Sequence, residues 1–122
     1  MTFARRVFTG AGIYGLIVLL PLYFAEGRIA QDQPPPINHP EYYYGFVGCA
    51  VAFQLVFLTI GRDPLKYRPF MLPSIVEKLT YGGAVLVLLA QSRIPTPPLI
   101  GGLIDLFLGV LFLVAYVKTS AR

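Results

Sequence analysis

Glu77 and Lys78 stand side by side inside a long apolar run, and Asp105 stands inside another. Ionisable side chains in such surroundings are costly to bury and are, by default, candidate functional groups. If the run 71–91 is a helix, Glu77 lies about 9 Å along it at 1.5 Å per residue. Lys78 points about 100° away from Glu77, and its long stem is expected to carry the ammonium back toward the membrane surface. Glu77 is too short for that and is expected to face neighbouring helices. Gln54 and Tyr14 reach the same depth in their own runs, and Tyr81 follows Glu77 by one turn on the same face. Tyr14, Gln54, Glu77, Lys78 and Tyr81 form a first candidate cluster. Two readings fit it. One is a proton-accepting carboxyl or the polar end of a ligand pocket. The other is a hydrogen-bonded clasp between helices, where lipid offers no other partner.

A second candidate group sits toward the opposite membrane face: His39, Glu41, Tyr43 and Asp105. Asn38 is expected to cap the helix that follows, with Pro40 and Glu41 suited to its first turn. The run Tyr42-Tyr43-Tyr44 spans nearly a full circle of helix, so one ring is expected among lipid headgroups. Another is expected to donate its hydroxyl to Asp105. The group reads either as an outward-facing pocket or as an aromatic belt with a satisfied carboxylate.

Other chemistries fit poorly. One histidine with scattered carboxylates lacks the spacing of a specific zinc or iron site, so no metal is expected. Cys49 is the single cysteine, which excludes an internal disulfide. It lies in an apolar stretch with no base in reach and is read as core packing. Gly82-Gly83 and Gly101-Gly102 are isolated pairs, not phosphate-binding loops, and no cofactor is expected.

The elements that must position these side chains follow from composition. The 122 residues are 56% hydrophobic and 13% charged, with a mean hydropathy of +0.66. A soluble domain is about 45–50% apolar and about 25% charged, and disordered chains are poorer still in apolar residues. The length suits one domain. Four apolar runs, at about 7–25, 41–61, 71–91 and 100–117, each approach the ~20 residues that cross a ~30 Å hydrocarbon layer as a helix. None alternates with period two, which argues against a membrane β-barrel. The expected fold is an all-α integral membrane protein of four helices in an antiparallel up-down-up-down bundle.

The connections agree. Residues 26–40 are polar and contain Pro34-Pro35-Pro36, so part of that stretch is expected to be extended. Residues 62–70 carry Asp63-Pro64 and Arg68-Pro69, and residues 92–99 carry Pro95, Pro97 and Pro98, as turn signals. Arg5, Arg6, Arg62, Lys66, Arg68, Lys118 and Arg122 fall at the two termini and the second connection, against Arg28 and Arg93 in the others. The positive-inside rule then places both termini in the cytoplasm, with the bacterial inner membrane as the expected location. The net charge of +4 becomes a topology signal, and nucleic acid is not an expected partner. A cleaved secretory signal ending near Ala25-Glu26-Gly27 is an alternative for the first run, although that run exceeds the usual ~7–15 apolar residues.

Small residues one turn apart, Ala11 with Gly15 and Gly48 with Ala52, let helix backbones approach closely. Gly45, Gly82, Gly83 and Gly109 offer similar notches, for internal packing or for a second copy. In outline the chain is similar to the small multidrug-resistance transporters, but their first-helix carboxylate has no counterpart in 7–25. DoxX-like membrane proteins share the outline without a quotable motif. The function expected is that of a non-catalytic accessory or assembly subunit, partnered by the bilayer and by itself or a larger membrane complex. The alternative is binding or transport of a lipophilic or protonatable small molecule, with Glu77 as the titrating group. An intramembrane enzyme built on His39, Glu41 and Asp105 is the weakest reading.

Overall fold

The structure is a computed structural model that describes residues 2–32, 37–94 and 98–119. Pro34–Pro36, Pro95, Pro97 and Arg122, singled out above, lie outside the described residues. The described chain is helical: α1 (Thr2–Leu19), α2 (Glu26–Asp32), α3 (Pro40–Arg62), α4 (Met71–Ala90) and α5 (Pro98–Lys118). Four stretches are long and apolar enough to cross a membrane: Thr2–Phe24, Pro40–Arg62, Arg68–Ala90 and Pro98–Lys118.

Local chemistry sets the ends. Pro21 lacks the amide proton that would continue the α-helical ladder, and the chain tightens into a 3₁₀ turn over Leu20–Phe24. The polyproline portion of the stretch after residue 25, expected to be extended, lies outside the described residues, and the stretch begins with a short helix. Glu26 stands in its first turn, and an exposed Arg28–Asp32 pair at 3.0 Å spans one turn. Asn38 does not cap α3. His39 holds that position, without a side-chain cap, and its carbonyl accepts the amides of Tyr42 and Tyr43 at 2.9 and 3.1 Å. Proline at the following position needs no amide partner, which lessens what a side-chain cap must satisfy.

α3 stops at Asp63, whose extended backbone (φ −152°, ψ 80°) is what a residue before proline prefers. α4 ends in a Schellman arrangement: Ser92 donates to Leu89 O and Arg93 to Leu88 O, at 3.0 and 2.9 Å. Ser92 takes the left-handed position with φ 58°.

The helices associate as two pairs, α1 with α3 and α4 with α5. Glycine contacts define the register. A side chain at Gly12 would meet Leu58 and the Gln54 carbonyl, one at Gly15 the Gln54 amide, and one at Gly61 would meet Thr9. In the second pair, Gly82 faces Leu106 and the Gly102 carbonyl, Gly102 faces Val85, and Gly109 faces Leu79 and Lys78. Residue numbers rise on one helix of each pair as they fall on the other. Gly45 and Gly83 face open space.

The main core lies at one end of the molecule, where Ala4, Phe8, Ala11, Phe57, Ile60, Met71, Ile75, Phe112 and Ala115 are buried together. Three phenylalanines join α1, α3 and α5 there. Phe8 stacks on Phe112 at 4.2 Å between ring centroids, and Phe57 meets both rings edge-on at 6.2 and 4.9 Å. Such aromatic pairs contribute about 0.5–1.5 kcal/mol beyond the area they bury. Above this core the contact between α3 and α4 is slight, and the polar side chains gather in the space between the two pairs.

Candidate functional site

Lys78 is the centre of that polar group. It is 5% exposed, and its Nζ lies 3.3 Å from Asp105 Oδ1 and 3.7 Å from Glu77 Oε1. The ring of Phe57 stands 5.2 Å away on a third helix, close enough for a cation–π contact. The stem fits because Gly109 has no side chain. A Cβ there would come within 3.3 Å of Lys78 Cβ. Asp105 is one turn away from Gly109 on α5, within reach of the ammonium.

The expectation that Lys78 climbs back to the membrane surface is therefore corrected. An opposite charge one hydrogen bond away, across a glycine notch, holds the ammonium inside. The grouping of Asp105 is corrected for the same reason. It belongs with Lys78 and Glu77, not with His39, Glu41 and Tyr43. Glu77 and Lys78 are neighbours that leave the helix about 100° apart, yet their flexible side chains converge enough to form an ion pair. With both carboxylates ionised, the three groups sum to one negative charge.

Gln54 enters the same space from α3. It is 1% exposed, and its Nε2 donates back to Ala50 O at 2.8 Å. Its Oε1 has no hydrogen-bond partner, and neither has Glu77 Oε1; at 3.7 Å the Lys78 ammonium is too far for a hydrogen bond to the latter. Buried acceptors without donors are rare in folded proteins, and each costs about 1–3 kcal/mol.

A cleft of about 160 Å³ runs between the helix pairs, lined by Tyr14, Gln54, Glu77, Lys78, Tyr81 and Asp105 among apolar side chains. All five residues of the first candidate cluster thus border one space, with Asp105 as the sixth. A second hollow of about 310 Å³ adjoins it and shares Phe46, Ala50, Glu77 and Tyr81. Glu77 stands on the boundary between the two. Cys49 lines the outer hollow and is exposed, which corrects its reading as core packing: it lies on the outer face of α3.

The second candidate group does not form a pocket. His39 Nδ1 and Glu41 Oε2 are 3.7 Å apart at side chains that are 63% and 67% exposed, and His39 stacks on Tyr42 at 4.6 Å. Tyr43 donates to Leu22 O at 2.5 Å, and Tyr44 to Glu26 Oε1 at 3.0 Å. These two hydroxyls fasten the start of α3 to the end of the first span and to the start of α2, where a bond to Asp105 had been expected. Among the described residues, no three of His, Cys, Asp and Glu gather in a way that could hold a metal ion.

Sequence reasoning missed Phe46 and Phe57 as neighbours of the charged group, and the specific duty of Gly15. Phe46 faces Tyr81 at 5.9 Å. The spacing of Ala11 and Gly15 did signal close helix approach, without naming Gln54 as what approaches. In comparisons with known proteins, no family model, no curated protein and no solved structure matches the chain.

Proposed function

We propose that this protein is a four-span, up-down-up-down membrane protein that binds, and in doing so moves or senses, a small amphiphile carrying a hydrogen-bond donor. Glu77 is the group that meets its polar end. Both termini lie in the cytoplasm and the membrane is the bacterial inner membrane, as the distribution of arginine and lysine supports. One observation carries the reading: two buried acceptors, Gln54 Oε1 and Glu77 Oε1, lack donors and belong to residues that line a cleft. An amine or hydroxyl entering the cleft supplies the missing donors.

The cleft is smaller than the ~300–1,000 Å³ of sites that enclose a drug-sized molecule. It suits a polar head, with the apolar remainder in the adjoining hollow. When both carboxylates are ionised, the cluster's net negative charge favours a protonated amine over an anion.

An accessory role within a larger membrane complex is the second reading. Its support is that each span buries only 22–33% of its most apolar window within the protein. It is also supported by the bare surface beside Gly45 and Gly83.

Mild-detergent purification from native membranes, followed by mass spectrometry, tests both. The expected result is a protomer or small oligomer that releases a donor-bearing small molecule, with none retained by Glu77→Gln at unchanged helix content. The bound molecule should also slow alkylation of Cys49, the single cysteine. A stoichiometric larger membrane protein, with no small molecule, would replace this reading by the accessory one. A reporter fused after residue 119 that works only outside the cell would overturn the orientation.

A further inference from the structure

We infer that the end of the molecule holding the start of α1 and the end of α5 carries a binding site for one anionic phospholipid, beside the connection from α3 to α4. A polar hollow of about 330 Å³ is lined there by Thr59, Arg62, Asp63, Lys66 and Tyr67. An apolar groove of about 270 Å³ adjoins it, lined by Leu55, Val56, Thr59, Ile60, Tyr67 and Phe70. The two share Thr59 and Tyr67, so a charged compartment opens directly into an apolar one. Together the two compartments descend along α3 from Arg62 to Leu55, about 10 Å at 1.5 Å per residue. The groove's rim is greasy: Leu55 and Phe70 are 54% and 52% exposed.

The charges favour an anion. Arg62 and Lys66 bring two cations to the polar hollow against one carboxylate, Asp63, whose Oδ1 already accepts the backbone amide of Lys66 at 3.3 Å. Outside the hollow, Arg5 of α1 donates to the Arg62 carbonyl at 2.9 Å and so stands beside it. Arginine's planar fork pairs with two phosphate oxygens at once. A molecule with a phosphate at one end and a hydrocarbon chain at the other satisfies both compartments, which makes an anionic glycerophospholipid the occupant. The site is independent of whatever the central cleft binds.

Native mass spectrometry of the full chain in mild detergent tests this. Phosphatidylglycerol and phosphatidylcholine with the same acyl chains are offered in equal amounts. One bound phosphatidylglycerol is expected, preferred about 20-fold, since each surface cation contributes roughly a factor of five toward an anionic lipid. The variant R62Q/K66Q should bring the preference close to one. Val56→Trp, which fills the groove and leaves the charges alone, should weaken phosphatidylglycerol retention.

Equal retention of the two lipids by the wild-type chain would overturn the proposal, because the contact would then be an ordinary lipid annulus. Displacement of the lipid by an equal concentration of inorganic phosphate would overturn it too, by reducing the site to an anion site. If R62Q/K66Q fails to fold, salt decides: a preference undiminished at roughly 0.5 M salt, where exposed charges are screened within a few ångströms, refutes the charge pairing.

Discussion

Replacing Lys78 by methionine removes the ammonium and keeps most of the stem that lies against Gly109 and Phe57, so charge is separated from packing. At 3.3 and 3.7 Å, an effective dielectric of ~20 gives roughly 4–5 kcal/mol of attraction for each contact, before desolvation of the three groups is subtracted. Desolvation removes much of that sum, but the carboxylates stay behind without their cation. Removing one member of a buried ion pair costs about 3–5 kcal/mol for that reason. For 122 residues this amounts to a fall in Tm of about 12–20 °C, which thermal circular dichroism in a fixed detergent at neutral pH would record. Asp105→Asn alone should cost less, about 1–2 kcal/mol, because Lys78 keeps Glu77. The combined variant K78M/D105N should be less damaged than the sum of the singles by at least ~1.5 kcal/mol, since only one charge then remains buried. A K78M variant within ~0.5 kcal/mol of the wild type, or strictly additive singles, would refute the picture of Lys78 as the cation that holds α4 to α5.

Gly15→Leu should separate α1 from α3, because even a Cβ at that position collides with the Gln54 amide; a loss of about 2 kcal/mol or more is expected, measured by thermal unfolding. Gly10→Ala, with open space around it, is the matched control and should be neutral or slightly stabilising. Gln54→Met removes a buried acceptor with no donor, so stability should stay level or rise by about 1 kcal/mol, while retention of the co-purified small molecule falls. Arg68 lies 3.6 Å over the Tyr116 ring and donates to the Tyr116 carbonyl at 3.1 Å. Arg68→Met should lower stability by about 1–2 kcal/mol, and Arg68→Lys should not restore it, since a point charge cannot stack and donate together.

The four long helices were legible because apolar length is a property of the sequence alone, and their ends followed from Asp63-Pro64, Pro40 and Pro98. The common level of Tyr14, Gln54, Glu77 and Tyr81 along their helices followed from the constant rise per residue, and these four side chains do border one cleft. What could not be read was which helix each faces and in what register. The pairing of Lys78 with Asp105 depends on how far α5 slides along α4, and the notches at Gly82, Gly102 and Gly109 fix that. Nothing near Asp105 in sequence reveals this, so it was assigned to the nearest polar residues in depth, His39 and Glu41. The short α2 could have been found from Glu26 in a first turn and the Arg28–Asp32 spacing, had the prolines that follow not outweighed them.

On the proposed four-span topology, the pairing of Lys78 with Asp105 also bears on the order in which the spans enter the membrane. Its partners lie 27 positions apart, and at ~5–20 residues per second the chain is without Asp105 for about 1–5 s after Lys78 is made. During that interval the third span carries a lysine and a glutamate, and a single charge at the centre of a span raises the cost of leaving the translocon by about 2.5–3.5 kcal/mol. On that topology, the third span is expected to leave the translocon together with the fourth, as one hairpin in which Lys78 already faces Asp105.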